Sequence, residues 1–99
     1  MKIVAVTACP AGIAHTYLAA DQLEKTAAKL GYSIKVETQG ATGIENELTQ
    51  ADVDAADVVI IASDIGIERP ERFKRARIKL KIPMRTTIKN PEAVFARLE

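Results

Sequence analysis

Two stretches of this chain, Ile3–Val6 and Val58–Ala62, are apolar at every position, and that restricts the fold more than any other feature of its 99 residues. A strand with one wet face alternates apolar and polar side chains. A strand that is apolar throughout has to be covered on both sides, as in parallel sheets whose crossover helices pack on either face. Between these runs the chain supplies a helix and another strand. From Ile13 to Leu30 the positions Ile13, Tyr17, Ala20, Leu23, Ala27 and Leu30 step by three or four, which predicts one helical stripe. Gly31 follows where a helix C-terminus favours a left-handed residue. Ser33 to Thr38 alternates, with Ile34 and Val36 on one face, and predicts a strand covered less fully.

The pattern continues less clearly. Gln39 to Gly43 reads as a loop by its glycines. Thr49 is placed to cap a short helix to about Ala55, with Asp52 at its third position. Beyond Ala62 a helical turn is expected from Pro70 to about Arg75, and a strand somewhere within Ile78 to Ile88. A helix follows from Pro91 to Leu98, with Asn90 as its cap. Alternating strands and helices imply βαβ units with right-handed crossovers. The expected class is α/β: a three-layer sandwich with a four-stranded parallel sheet in the order 2-1-3-4, helices on both faces and a phosphate-binding loop after strand 1. Residues 1–99 are expected to form one domain. In such sheets ligands lie outside the carboxyl ends of the strands, near a topological switch point. The loop after the first strand is in that place.

That loop begins with Cys9, the chain's single cysteine, and continues Cys-Pro-Ala-Gly-Ile-Ala-His-Thr to Thr16. Amides left unpaired in such a loop and in the first turn of the following helix favour negative charge. The same field lowers a thiol's pKa and populates the nucleophilic thiolate. Pro10 fixes the backbone after the nucleophile but offers no N–H, and Gly12 permits positive φ or close approach to an oxyanion. The amides of Ala11, Gly12, Ile13, Ala14, His15 and Thr16 are then the candidate phosphoryl cradle, with Cys9 as nucleophile. His15 stands between an assisting role at phosphate or thiol and that of an ordinary helix-start residue. Thr16 stands between a cap and a hydroxyl donor to sulfur or phosphate.

Cysteine-dependent tyrosine phosphatases carry C-x5-R, in which arginine grips the phosphoryl oxygens. Here the sixth residue after Cys9 is His15, so the cradle lacks a fixed bidentate clamp. No aspartate sits on an evident acid loop. Both features favour a protein that holds a phosphoryl group and passes it on over a small cysteine phosphatase, the alternative enzyme reading. A non-catalytic regulatory interaction domain is the alternative from another class. A reductase is disfavoured because no resolving cysteine exists.

Composition sets further bounds. One cysteine forms no internal disulfide, which fits a reducing compartment. No apolar run nears the roughly 20 residues of a membrane-spanning helix, and the N-terminal run lacks a signal peptide's length and cleavage site. A cytoplasmic protein is therefore expected. The net charge of +1 conceals −4 over residues 1–63 and +5 over residues 64–99. The basic stretch Lys74 to Lys81 alternates with apolar residues and reads as a strand with a solvated positive face, with partner docking as second reading. Nucleic acid is disfavoured, because aromatic residues are scarce and no recognition motif appears. Nothing in the chain asks for a metal or cofactor.

These residues resemble a known family. Val6-Thr-Ala-Cys-Pro-Ala-Gly-Ile-Ala-His-Thr-Tyr17, Lys35-Val-Glu-Thr-Gln-Gly40 with Gly43-Ile-Glu-Asn46, Ala56-Asp-Val-Val-Ile-Ile-Ala62 and Arg72-Phe73 are similar to the fructose-type IIB component of the phosphoenolpyruvate-dependent sugar phosphotransferase system (PTS). The resemblance runs from residue 1 to about 73. Ala11 departs from the threonine common at that place, and Lys74 to Lys81 is longer and more basic than the family pattern. The resemblance implies a type-2, fructose-like IIB domain in a phosphorelay. A phosphohistidine on a IIA partner would give its phosphoryl group to Cys9, and the group would pass to a sugar held by the membrane-embedded IIC transporter.

Overall fold

The structure is a computed structural model and describes residues 1–8, 14–40 and 43–97. The chain runs β1 (Lys2–Ala8), α1 (Ala14–Leu30), β2 (Ser33–Gly40), β3 (Gly43–Glu45), α2 (Gln50–Ala55) and β4 (Val58–Ser63). A single 3-10 turn (Pro70–Phe73), β5 (Lys79–Ile82), α3 (Met84–Lys89) and α4 (Pro91–Ala96) follow. The expected α/β class with helices on both faces is present. The sheet, however, has five strands in the order β3-β2-β1-β4-β5, which corrects the count of four and the order given with it. The added strand follows the segment Gln39 to Gly43 that was expected as a loop, in which Gln39 and Gly40 extend β2 and Gly43 opens β3. Gly43–Glu45 turns back antiparallel on the end of β2, pairing Thr38 with Glu45 and Gln39 with Ile44. Three residues are too few to carry an alternating pattern.

The two apolar runs sit side by side at the centre. β1 pairs in parallel with β2 and β4, and β4 with β5. Their alternate residues face opposite layers. Ile3, Ala5, Val58, Ile60 and Ala62 pack with Leu23 and Ala27 of α1 and Val94 and Phe95 of α4. Val4, Val6, Val59 and Ile61 pack with Leu48, Val53 of α2 and Phe73 of the 3-10 turn. Each fully buried side chain of Leu or Phe size contributes about 1.5–3 kcal/mol, so both faces matter to stability.

Local signals account for most element ends. Gly31 takes φ +80° just past α1, a value that costs glycine little. Thr49 and Asp52 form a reciprocal capping box at α2: the Asp52 amide donates to Thr49 Oγ1 (3.1 Å) and the Thr49 amide to Asp52 Oδ2 (3.0 Å). That second bond, with help from Lys35 Nζ at 2.9 Å, holds the Asp52 carboxyl down at about 2.

Other expectations need correction. The buried face of α1 consists of Thr16, Ala19, Ala20, Leu23, Thr26 and Ala27, whereas Tyr17 and Leu30 remain 37% and 43% exposed. Ala20, Leu23 and Ala27 of the expected stripe are on the buried face, joined by Thr16, Ala19 and Thr26, small residues that let the helix lie close against the sheet. Asn90 makes no side-chain cap at α4; its amide donates to the Thr86 carbonyl (2.8 Å) and closes α3. The strand expected somewhere within Ile78 to Ile88 is present as β5 (Lys79–Ile82), and the span from Met84 onward is helix α3. It follows Pro83 and has no capping side chain of its own.

The orientation of α1 yields a direct test. Leu23→Ala is expected to cost about 2–5 kcal/mol, as a buried large-to-small change does. Leu30→Ala is expected to stay within about 0.5 kcal/mol, as exposed changes usually do. Urea denaturation of the two variants checks the assignment, since a helix packed on the sequence-derived stripe would give comparable losses.

Candidate functional site

The carboxyl ends of β1, β2 and β4 come level in the middle of the sheet. Ala8, the last residue of β1, stands in register between Gln39 and Ser63. Thr7 Oγ1 donates to the Thr16 carbonyl at 3.0 Å, fastening the end of this strand to the first turn of α1. Cys9, Pro10, Ala11, Gly12 and Ile13, the nucleophile and most of the cradle read from the sequence, lie outside the described residues. Described residues form the frame on either side of them.

On the α1 side of that frame, Ala14 and His15 are exposed at the start of the helix. Thr16 is fully buried, and its hydroxyl has no hydrogen-bond partner among the described residues. A buried hydroxyl without a partner costs about 1–3 kcal/mol. His15 and Leu18 form one wall of a cavity of about 380 Å³ whose other walls are Asp64 and α3. Asp64, just past β4, accepts from the Met84 amide through Oδ1 at 3.1 Å and so anchors the start of α3.

On the other side lies a second cavity of about 460 Å³, bordered by Ala8, Gln39, Gly40, Gly66 and Glu68. The segment Gln39 to Gly43, which the sequence reads as a loop, borders it through Gln39, Gly40 and Gly43. Its wall is held by a buried polar network that sequence reasoning missed. Glu37 is 0% exposed, in the middle of the sheet face that packs on Leu48 and Phe73. Arg72 meets it with a two-pronged contact, Nη1 to Oε1 at 2.6 Å and Nη2 to Oε2 at 3.0 Å. The Leu48 amide donates to Oε1 at 2.7 Å and Gln39 Nε2 to Oε2 at 2.7 Å.

The remaining donors of Arg72 reach main-chain carbonyls of Arg69 (2.9 Å), Leu48 (2.8 Å) and Glu68 (3.1 Å). Its guanidinium also lies 4.9 Å from the centre of the Phe73 ring. Gln39 completes the circuit: Nε2 donates to the Glu68 carbonyl (3.2 Å) and Oε1 accepts from the Glu68 amide (2.8 Å). The network ties β2 to residues 46–49 and 68–73. Burial pushes the Glu37 carboxyl up, but the bonds from Arg72, Gln39 and Leu48 outweigh it and leave the group below its ordinary value. The signal available in the sequence was an acid at position 37 inside an otherwise strand-like run, with several arginines around Phe73 as possible counter-charges.

The sequence pattern of the family described as "PTS system, Lactose/Cellobiose specific IIB subunit" matches residues 4–97. The chain is 49% identical over 98 residues to the PTS system fructose-like EIIB component 2 of Escherichia coli (strain K12), covering 99% of this chain and 92% of that one. It is 47% identical over 94 residues to the PTS system fructose-specific EIIABC component of Bacillus subtilis (strain 168), covering 95% of this chain and 14% of the relative. A crystal structure of a domain of the fructose-specific IIABC component of Borrelia burgdorferi superposes with a TM-score of 0.90 at 50% identity. It covers 97% of this chain and 90% of that domain.

The buried pair predicts acid sensitivity. Because the folded Glu37 carboxyl lies below its ordinary 4.5, its contribution is complete above about pH 4.5 and is lost as pH falls through the folded value. Glu37→Gln is expected to cost about 3–5 kcal/mol at neutral pH, because it leaves Arg72 buried without its counter-charge. The variant's disadvantage should then shrink as pH falls below 4.5. Urea denaturation of wild type and variant at matched pH values measures that difference; a pH-independent gap would contradict the assignment.

Proposed function

The chain belongs to the PTS IIB family, and from that premise we propose that Cys9 is the residue that carries the phosphoryl group. A IIB component is a phosphotransferase of the sugar PTS. In the proposed cycle the Cys9 thiolate attacks the phosphorus of a phosphohistidine on a IIA partner. The S–P bond forms, the N–P bond breaks, and its electron pair returns to the imidazole, which takes up a proton. A sugar hydroxyl held by the IIC transporter then attacks phosphorus. The O–P bond forms, the S–P bond breaks with return of the thiolate, and the hydroxyl proton leaves to solvent or base. Splitting one transfer into two is the gain from covalent catalysis.

The residues assigned to the cradle are Pro10, Ala11, Gly12, Ile13, Ala14, His15 and Thr16, with amides of the loop and first helical turn facing the equatorial oxygens. His15 is the assisting side chain, able to add positive charge beside the anion. Residues 1–99 act as one type-2, fructose-like IIB domain. The sugar is taken to be fructose-like, since that word is in the names of relatives nearly half identical to the chain; lactose and cellobiose appear only in the family-wide description. Among the described residues no helix is long and apolar enough to cross a membrane. The reading places the protein in the cytoplasm, with transient contact at the inner membrane face through IIC.

Within the molecule, the observation that carries the reading is the buried Thr16 hydroxyl, which has no partner among the described residues. It stands in the first turn of the helix that follows the Cys9 segment, on the turn fastened to the end of β1. A group kept buried at such cost is accounted for if it donates to sulfur or phosphate in the working cycle.

Incubation with radiolabelled phosphoenolpyruvate, the general relay proteins and a IIA partner is expected to place one phosphoryl group on wild type and none on Cys9→Ser. Label persisting in Cys9→Ser, or steady release of inorganic phosphate, would defeat the proposal. Thr16→Val is expected to leave thermal stability equal or higher, because the orphaned hydroxyl is gone. The same change should slow labelling by about tenfold or more.

A further inference from the structure

The geometry points to the cavity between α1 and α3 as the docking place of the phosphorylated donor protein, with Arg85 and Lys89 as its electrostatic determinants; this rests on the reading of Cys9 above. The cavity floor is apolar, formed by Leu18, Met84 and Ile88. Leu18 is 41% exposed, one of the few large hydrophobic side chains left open to solvent among the described residues. Met84 and Ile88 lock α3 against Ala19 of α1. The floor is thus built from helix side chains and not from a loop.

Charge defines the rim. Arg85 and Lys89 are four residues apart, so both project from one side of α3. Both are exposed and both line the cavity. Neither forms an ion pair among the described residues; the pairs there belong to Lys25, Lys29, Lys35, Arg69 and Arg72. Asp64 is the single carboxylate in the described lining, and one of its oxygens already accepts from the Met84 amide. The fourth polar lining residue, His15, belongs to the first turn of α1, two residues after Ile13.

The second cavity differs in kind. Its described lining contains no lysine or arginine, and consists of glycines, Ala8, Ile65, Gln39 and Glu68. An anionic visitor is therefore favoured on the α3 side and not on the β2 side. Of the two partners in the proposed cycle, the donor arrives with a doubly charged phosphoryl group on an imidazole ring. The acceptor sugar hydroxyl brings no charge. An acidic protein surface carrying phosphohistidine, with an apolar side chain to seat on Leu18, fits both the floor and the rim. Steering by unpaired charges raises association rates and fades with salt.

The test compares wild type with Arg85→Glu, Lys89→Glu and the double variant, all at exposed positions. Donors are the phosphorylated A domain of the Bacillus subtilis fructose-specific relative and, separately, the small molecule phosphoramidate. With the protein donor, the double variant is expected to show KM raised by about tenfold or more at low ionic strength, the gap narrowing as salt is added. With phosphoramidate, labelling of Cys9 should follow wild type. An unchanged KM for the protein donor overturns the proposal, as does equal loss with both donors. So does normal acceptance with impaired transfer onward to sugar, which would assign the cavity to the acceptor side. If wild-type Cys9 takes label from neither donor, the reading of Cys9 fails first and the docking assignment falls with it.

Discussion

A carboxylate with no solvent exposure in a sheet face that packs on leucine and phenylalanine has to be neutralised or matched, and Glu37 is matched by Arg72. Taking two charges out of water is expensive unless every remaining donor and acceptor also finds a partner. Here the guanidinium finds the Arg69, Leu48 and Glu68 carbonyls, and the carboxylate finds the Leu48 amide and Gln39. Those partners lie in three separate parts of the chain. The irregular segments 46–49 and 68–73 therefore have defined positions although they contain little regular structure. Arg69 shows the tightness of the arrangement: it adopts a left-handed φ of 54° before Pro70, and its side chain pairs with Glu47. Such a conformation persists when its surroundings over-determine it.

The network and the parallel sheet together fix the surroundings of the β1 carboxyl end. β1 is flanked by β2 and β4, so its last residue, Ala8, lies in the middle of the sheet with a strand on each side. On one side the wall is set by Gln39, whose amide is held by Glu37 and by both main-chain groups of Glu68. On the other it is set by α1 and α3. A phosphoryl carrier has to present one group to two successive partners. Two differently charged recesses, one bordered by Asp64 just past β4 and one by Ala8 of β1, lie at the carboxyl ends of the central strands.

Much of this was legible in the sequence, for physical reasons that can be named. The uniform apolar runs at Ile3–Val6 and Val58–Ala62 could hardly have been anything but central strands. Thr49 with Asp52, and Gly31 after Leu30, are local devices whose meaning does not depend on distant residues. The losses came where meaning is non-local. Glu37 reads as a surface acid until Arg72, thirty-five positions later, is brought beside it. The buried side of α1 is largely alanine and threonine, which a count of bulky residues passes over. β3 is too short to show an alternation, and its pairing is fixed by the reversal onto β2.

Helix α3 carries that non-locality furthest. It is six residues long, too short to persist alone in water, and its first amide is satisfied by Asp64, twenty positions upstream. Its start is thus an appendage of the β4 terminus and not a local folding event. The segment depends on the closed sheet for its helical form, which puts it toward the low-stability end of the molecule. Partial opening at the β4–β5 edge would unwind α3 while leaving the β1–β2 half of the sheet intact.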